Sequence, residues 1–197
     1  LPRLSALEAN GKSEDIAGEL SSGLKTASLF VLPAAAAIIV IAEPILAGLF
    51  LSGAFTAEDV YYASLALIAY GVGLPAFVGT KILQPAFYAA GHAKLVLKIS
   101  MVSVLVNLCL SLILMQFFAH AGLALATSIS FWIILLWQAL ILRRQKKLDF
   151  TAFVFIAKVL AAAFVMALCL SGSVFVLDGA ALGPRLQLVI LVTGGLI

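Results

Sequence analysis

The sequence predicts an all-α, polytopic membrane protein of about six transmembrane helices, the last one cut short, and three observations carry that class. The chain is 64% hydrophobic and 11% charged, with a mean hydropathy of +1.20, whereas a soluble domain is ~45–50% apolar and ~25% charged. Its apolar residues fall in runs of about twenty or more, the length a helix needs to cross a hydrocarbon core of ~30 Å. The ten-residue alternating segments of a membrane β-barrel are missing from it.

Residues 1–25 are the most polar part and read as a cytoplasmic amphipathic connector, either a short helix lying at the membrane surface or an ordinary link between spans, with Ile16, Leu20 and Leu24 recurring every fourth residue on one apolar stripe. Residues 26–142 then hold four spans. The first covers about Ala27–Leu51 and is interrupted by Pro33 and the pair Glu43-Pro44. The second covers about Val60–Ala90, the third Leu95–Phe118 and the fourth Gly122–Leu142. A basic cytoplasmic loop, 143–149, carries Arg143, Arg144, Lys146 and Lys147. Residues 150–197 are the final helix pair: a span near Phe150–Leu177 and a sixth that starts at Leu186 and is truncated. A start at Leu1 and a stop inside an apolar run read as a portion of a longer protein.

Placing residues 1–25 inside the cell puts every Lys and Arg except Arg185 on or toward that side, a strong positive-inside bias. The loops near Ala54 and Gly183 are then expected outside, and those near Gly91 and Gln145 inside. The net charge of +3 is accounted for by this topology and gives no nucleic-acid signal.

No enzyme constellation is visible. His92 and His120 fall on opposite sides of the membrane, Glu43 is the only acid within an apolar run, and no glycine-rich phosphate loop opens a helix. No metal or cofactor is expected. Cys109 and Cys169 read as small buried hydrophobes.

The second span draws most attention, because Gly71, Gly73, Pro75, Gly79 and Pro85 interrupt it and Lys81 lies deep within it. Interior proline costs ~3 kcal/mol in a helix and glycine ~1, so Gly71, Pro75, Gly79 and Pro85 are expected to form a hinge or broken helix of the kind transporters use. Ionisable groups inside spans are costly and are functional candidates by default. Lys81, Glu43 and Asn107 are therefore candidates for a substrate path. Each has a structural alternative: Lys81 as a snorkelling lysine, Glu43 at a wet kink or the outer interface, and Asn107 as a bond to a neighbouring helix. A Lys81–Glu43 pair is allowed by depth but not required. Lys98 and Lys158 can snorkel to the inner surface. Gly122, Ala126 and Ser130, four apart, suit close helix approach.

Lys81-Ile-Leu-Gln-Pro85-Ala-Phe87-Tyr88-Ala89 resembles the lysine-to-FYA segment of the MurJ/MviN lipid II flippases. His92 stands where that family usually has an acid, and Lys94-Leu95-Val96-Leu97-Lys98 keeps two basic positions while replacing a Thr-Pro. Leu1-Pro2-Arg3-Leu4-Ser5, Ala42-Glu43-Pro44-Ile45, Gly53-Ala54-Phe55-Thr56 and Gly122 to Ser128 fit the same family in order and spacing. The resemblance implies the two-lobe multidrug/oligosaccharidyl-lipid/polysaccharide exporter fold, with this chain as its carboxy-terminal portion and the amino-terminal lobe missing. It also implies a multi-pass protein of the bacterial inner membrane. The activity it implies is movement of lipid II, the undecaprenyl-pyrophosphate-linked peptidoglycan precursor, to the outer leaflet by alternating access, with a groove for the lipid tail near the last two helices. The partners implied are lipid II, membrane lipids and the missing lobe. The competing readings are another exporter of the superfamily, for polysaccharide-lipid or drugs, and a membrane enzyme acting on polyprenyl lipids.

Overall fold

In the computed structural model, residues 2–11, 13–51, 55–118, 120–148 and 151–179 are described, and they form six helices. These are α1 (Pro2–Ala9), α2 (Ser13–Phe50), α3 (Ala57–Ala89), α4 (Ala93–Phe118), α5 (His120–Arg144) and α6 (Thr151–Gly179). All except α1 are long and apolar enough to cross a membrane, so the chain is a multi-pass membrane protein. The expected sixth span, from Leu186, lies outside the described residues, as do the loop positions Ala54 and Gly183.

The spans pack as a curled row: α6 on α2, α2 on α3, α3 on α5 and α5 on α4. The centre falls to α3, the most buried of the five, because small residues let its neighbours approach. A Cβ added at Gly71 would lie 3.0 Å from Ile39 of α2, and one at Gly79 would lie 2.8 Å from Leu135 of α5. One at Gly73 would meet Ser128 of α5, whose own Cβ would be 2.8 Å away. Ser128 Oγ donates to the Ala69 carbonyl at 2.6 Å, and Trp132 Nε1 donates to the Val72 carbonyl at 3.0 Å. The α3–α5 seam is thus a small-residue contact stitched by side chain to backbone bonds, a means of helix association that does not rely on expelling water.

The stripe expected on α5 packs as its spacing indicated. Gly122, Ala126 and Ser130 are buried, and a Cβ at Gly122 would strike the Leu114 backbone of α4. At its start, α3 is capped by Thr56, which accepts from the Asp59 amide while the Asp59 carboxylate accepts from the Thr56 N–H at 2.8 Å. This reciprocal box satisfies two end donors that the helix itself leaves unpaired.

Three expectations are corrected. The second span is not broken: α3 runs unbroken through Pro75 and Pro85. Each proline removes one backbone donor, but α2 and α5 grip the helix along its length and hold its register. Its glycines act as contact points, Gly71 toward α2 and Gly73 and Gly79 toward α5. The amphipathic stripe of residues 1–25 does not lie on a lipid surface. It is the first part of α2, and Ile16 and Leu20 are buried with Leu4 of α1, Leu83 and Phe87 of α3, Val96 of α4 and Leu142 of α5. Finally, Cys109 and Cys169 are exposed, since the outward face of a membrane helix is as apolar as its interior. Met101, Leu105, Leu108 and Leu112 of α4 are exposed in the same way.

Candidate functional site

Two cavities flank α3, and they differ in chemistry. The first, of about 380 Å³, lies among α3, α4 and α5. Thr80, Lys81 and Gln84 line it from α3; Ser100, Ser103 and Asn107 from α4; Thr127 and Ser130 from α5. On α4 the spacing of three and then four places all its polar members on one helical face. That periodicity was readable in the sequence, where Asn107 was singled out and Ser100 and Ser103 were passed over. Thr80, Gln84, Thr127 and Ser130 were likewise missed, since single hydroxyls in apolar runs carry no signal until their faces converge.

Lys81 is an exposed side chain at this cleft. Its ammonium sits 5.3 Å from the centroid of the Phe77 ring, and Phe77 in turn meets Phe131 edge-on, with centroids 5.0 Å apart. A cation over a ring face is attracted by the ring quadrupole, but the ring accepts no strong hydrogen bond. Among the described residues no carboxylate lines the cleft, so the ammonium retains donors for an anion. Beside it, Pro85 has no N–H to give the Lys81 carbonyl, which leaves that oxygen without its helical partner.

Asn107 donates to Thr127 Oγ1 at 3.2 Å, and Thr127 donates onward to the Leu123 carbonyl at 2.9 Å. Thr80 donates to the Ala76 carbonyl at 2.7 Å. The asparagine therefore does join a neighbouring helix, and it does so at the wall of the cleft. Lys81 and Asn107 are brought together; Glu43 is not. Glu43 is exposed on α2, and no ion pair links it to Lys81.

The second cavity, about 240 Å³, is apolar. Val31 and Leu32 of α2, Pro75, Val78 and Ile82 of α3, Leu135 of α5 and Ile156 and Leu160 of α6 form most of its wall. Trp132 also faces it with its N–H already spent on the Val72 carbonyl.

The basic loop is not four equivalent charges. Arg143, Arg144 and Lys146 are exposed, whereas Lys147 is buried and paired with Glu8 of α1 at 2.6 Å. The backbone explains the turn. Lys146 adopts φ 56, and the Lys147 N–H returns to the Leu142 carbonyl at 2.9 Å. This is the left-handed helix end that usually takes glycine. Gly91, with φ 71, serves the same role at the end of α3.

Among the described residues no group of three or more His, Cys, Asp or Glu side chains is placed to hold a metal ion.

Comparison with known proteins agrees with this architecture. The family model described as lipid II flippase MurJ matches residues 1–184. The probable lipid II flippase MurJ of Vibrio cholerae serotype O1 is 32% identical over 168 residues, covering 84% of this chain and 32% of that protein. That of Rhizobium meliloti is 33% identical over 172 residues, covering 86% and 32%. The lipid II flippase MurJ of Burkholderia cenocepacia is 33% identical over 129 residues, covering 66% and 25%. A solved structure titled lipid II flippase MurJ, inward closed conformation, superposes with a TM-score of 0.76 at 24% identity, over 98% of this chain and 40% of the other. This chain spans a third or less of the length of these three curated relatives. With a family model matching nearly its whole length, the chain belongs to the lipid II flippase MurJ family.

Proposed function

We propose that this chain is the carboxy-terminal part of a lipid II flippase, a transporter rather than an enzyme, working in the bacterial inner membrane. In this reading the polar cleft handles the head group and the apolar groove handles the lipid tail. The observation that supports it most is Lys81: an ammonium among hydroxyls and amides, with a ring as its close partner and no carboxylate among the described residues lining the cleft. Inside a span an unpaired charge costs a few kcal/mol unless it faces a wet cavity, and a cleft of this composition suits the oxygens of an anionic pyrophosphate. Alternating access requires a second repeat to close against, so the amino-terminal lobe is a necessary partner. The Gly71–Pro85 region of α3 would then act as a packed pivot instead of a break.

Expression of full-length variants as the sole flippase in a depletion strain tests this. Lys81→Met should reach the membrane yet fail to sustain growth, and Lys81→Arg should sustain it in part. Wild-type growth with Lys81→Met would reduce Lys81 to a snorkelling lysine and remove the cleft as the head-group site.

A further inference from the structure

A third cavity, of about 470 Å³, opens where α2 begins and α5 ends. Glu14, Ala17 and Gly18 line it from one face of α2, and Arg143, Lys146 and Leu148 line it from the end of α5 and the turn beyond. Gly18 leaves room in it: a Cβ built there would meet nothing within 4 Å. The neighbouring Lys147 is committed to Glu8. Arg143 and Lys146 are exposed, and neither side chain has a hydrogen bond or ion pair among the described residues. Lys146 also holds φ 56, a backbone conformation that glycine adopts freely and a side chain resists. Strain kept at a cation on a cavity wall points to use.

The depth of the cavity indicates what fills it. Helix α5 has 25 residues, ~37 Å at ~1.5 Å per residue, against a hydrocarbon core of ~30 Å. Its last residues, Arg143 and Arg144, therefore stand at the level of lipid head groups, on the side that the charge distribution places in the cytoplasm. Ala17 and Leu24, seven residues apart on α2, project within about 20° of one another. Leu24 belongs to the wall of the apolar groove, so the two cavities share a face of α2 at a separation of ~10 Å. Two cations and one carboxylate leave the third cavity with a single net positive charge. That matches one phosphodiester, and Glu14 suits a hydroxyl beside it.

We propose that this third cavity binds the head group of an anionic glycerophospholipid of the inner leaflet, with the chemistry of phosphatidylglycerol. Arg143 and Lys146 donate to the phosphodiester oxygens, Glu14 accepts from a head-group hydroxyl, and the acyl chains run along α2 toward the groove. A patch of cations alone would favour any polyanion. The carboxylate turns the preference to a singly charged head that carries donors. The site shares no residue with the Lys81 cleft, and its occupancy does not depend on what the protein transports.

The test uses full-length protein with its cysteines replaced, Cys109 and Cys169 among them, and Gln145→Cys carrying an environment-sensitive dye beside the cavity. Titration with short-chain phosphatidylglycerol in detergent should shift the dye's emission and saturate. Arg143→Gln and Lys146→Gly should each weaken that binding about fivefold. Gly18→Leu, which fills the space without touching charge, should weaken it at least as much. None of the three should lower the melting temperature, since Arg143 has no partner to lose, Lys146→Gly relieves the turn and Gly18→Leu improves a helix. Arg144→Gln removes an equal charge outside the cavity and should leave the affinity unchanged. No saturable shift, wild-type affinity in Lys146→Gly or Gly18→Leu, or an equal loss in Arg144→Gln would overturn the proposal. Displacement of the lipid by an equal concentration of water-soluble glycerophosphoglycerol would overturn it too, assigning the cavity to a soluble phosphodiester.

Discussion

The two sides of α3 are built from the same helix by opposite rules. Toward α4, Thr80, Lys81 and Gln84 meet a stripe of serines and Asn107 to enclose polar space. Toward α2 and α6, Pro75, Val78 and Ile82 meet aliphatic and aromatic side chains with every nearby polar group already spent. One helix can serve both because a rotation of about 100° per residue turns Lys81 and Ile82 to different neighbours. An amphiphile with a charged head and an apolar tail has both requirements, and α3 would present them side by side. The seam with α5 is what holds the two cavities in a fixed relation.

Breaking the seam should therefore have the largest effect. Gly73→Val adds side-chain volume where Ser128 leaves no room. Overpacking of a tight contact costs about 1–3 kcal/mol, and here it strains both cavities at once. Low membrane levels and a lowered melting temperature of the full-length protein, read by fluorescence size-exclusion after heating, are expected. Wild-type levels would show that α3 and α5 can separate without loss.

Next in size are substitutions that separate the two sides. Ile156→Trp should obstruct the groove and impair flipping of the natural long-tailed lipid, while a short-tailed analogue with the same head group should move at the wild-type rate in proteoliposomes. Lys81→Met should impair both substrates alike. Equal impairment by Ile156→Trp would merge the two sites into one.

The smallest effect belongs to Asn107→Leu, which removes the bond to Thr127. Bonds between membrane helices contribute ~0.6 kcal/mol on average, so the melting temperature should fall by a degree or two at most. Any larger loss, of flipping without loss of fold, would give Asn107 a role at the cleft beyond joining α4 to α5.

Much of the fold was legible in the sequence. The five described spans and their order follow from length and hydropathy, and the close approach of α5 to α4 follows from Gly122, Ala126 and Ser130. The continuity of α3 did not follow. Proline and glycine costs are local, and the grip of α2 and α5 on Gly71, Gly73 and Gly79 is tertiary. Burial of Lys147 was hidden for a similar reason. In sequence it is one charge among four, and only the partnership with Glu8, 139 residues away, singles it out. At the cleft, Lys81 and Asn107 stood out as costly groups in apolar runs, while the hydroxyls that complete the polar wall bond locally and cost little. Glu43 drew notice on the same grounds as Lys81, yet no described residue of α2 lines the cleft. Intramembrane charge identifies candidates, and only packing decides which of them share a site.

Photo-crosslinking reads the division of labour across α3 directly. A benzophenone amino acid placed at Val104 in the cleft or at Leu160 in the groove of the full-length protein would be irradiated in cells whose lipid II carries a label on its head group. Head-group label should be captured from position 104, with little from position 160. Capture from position 160 with none from position 104 would contradict that division.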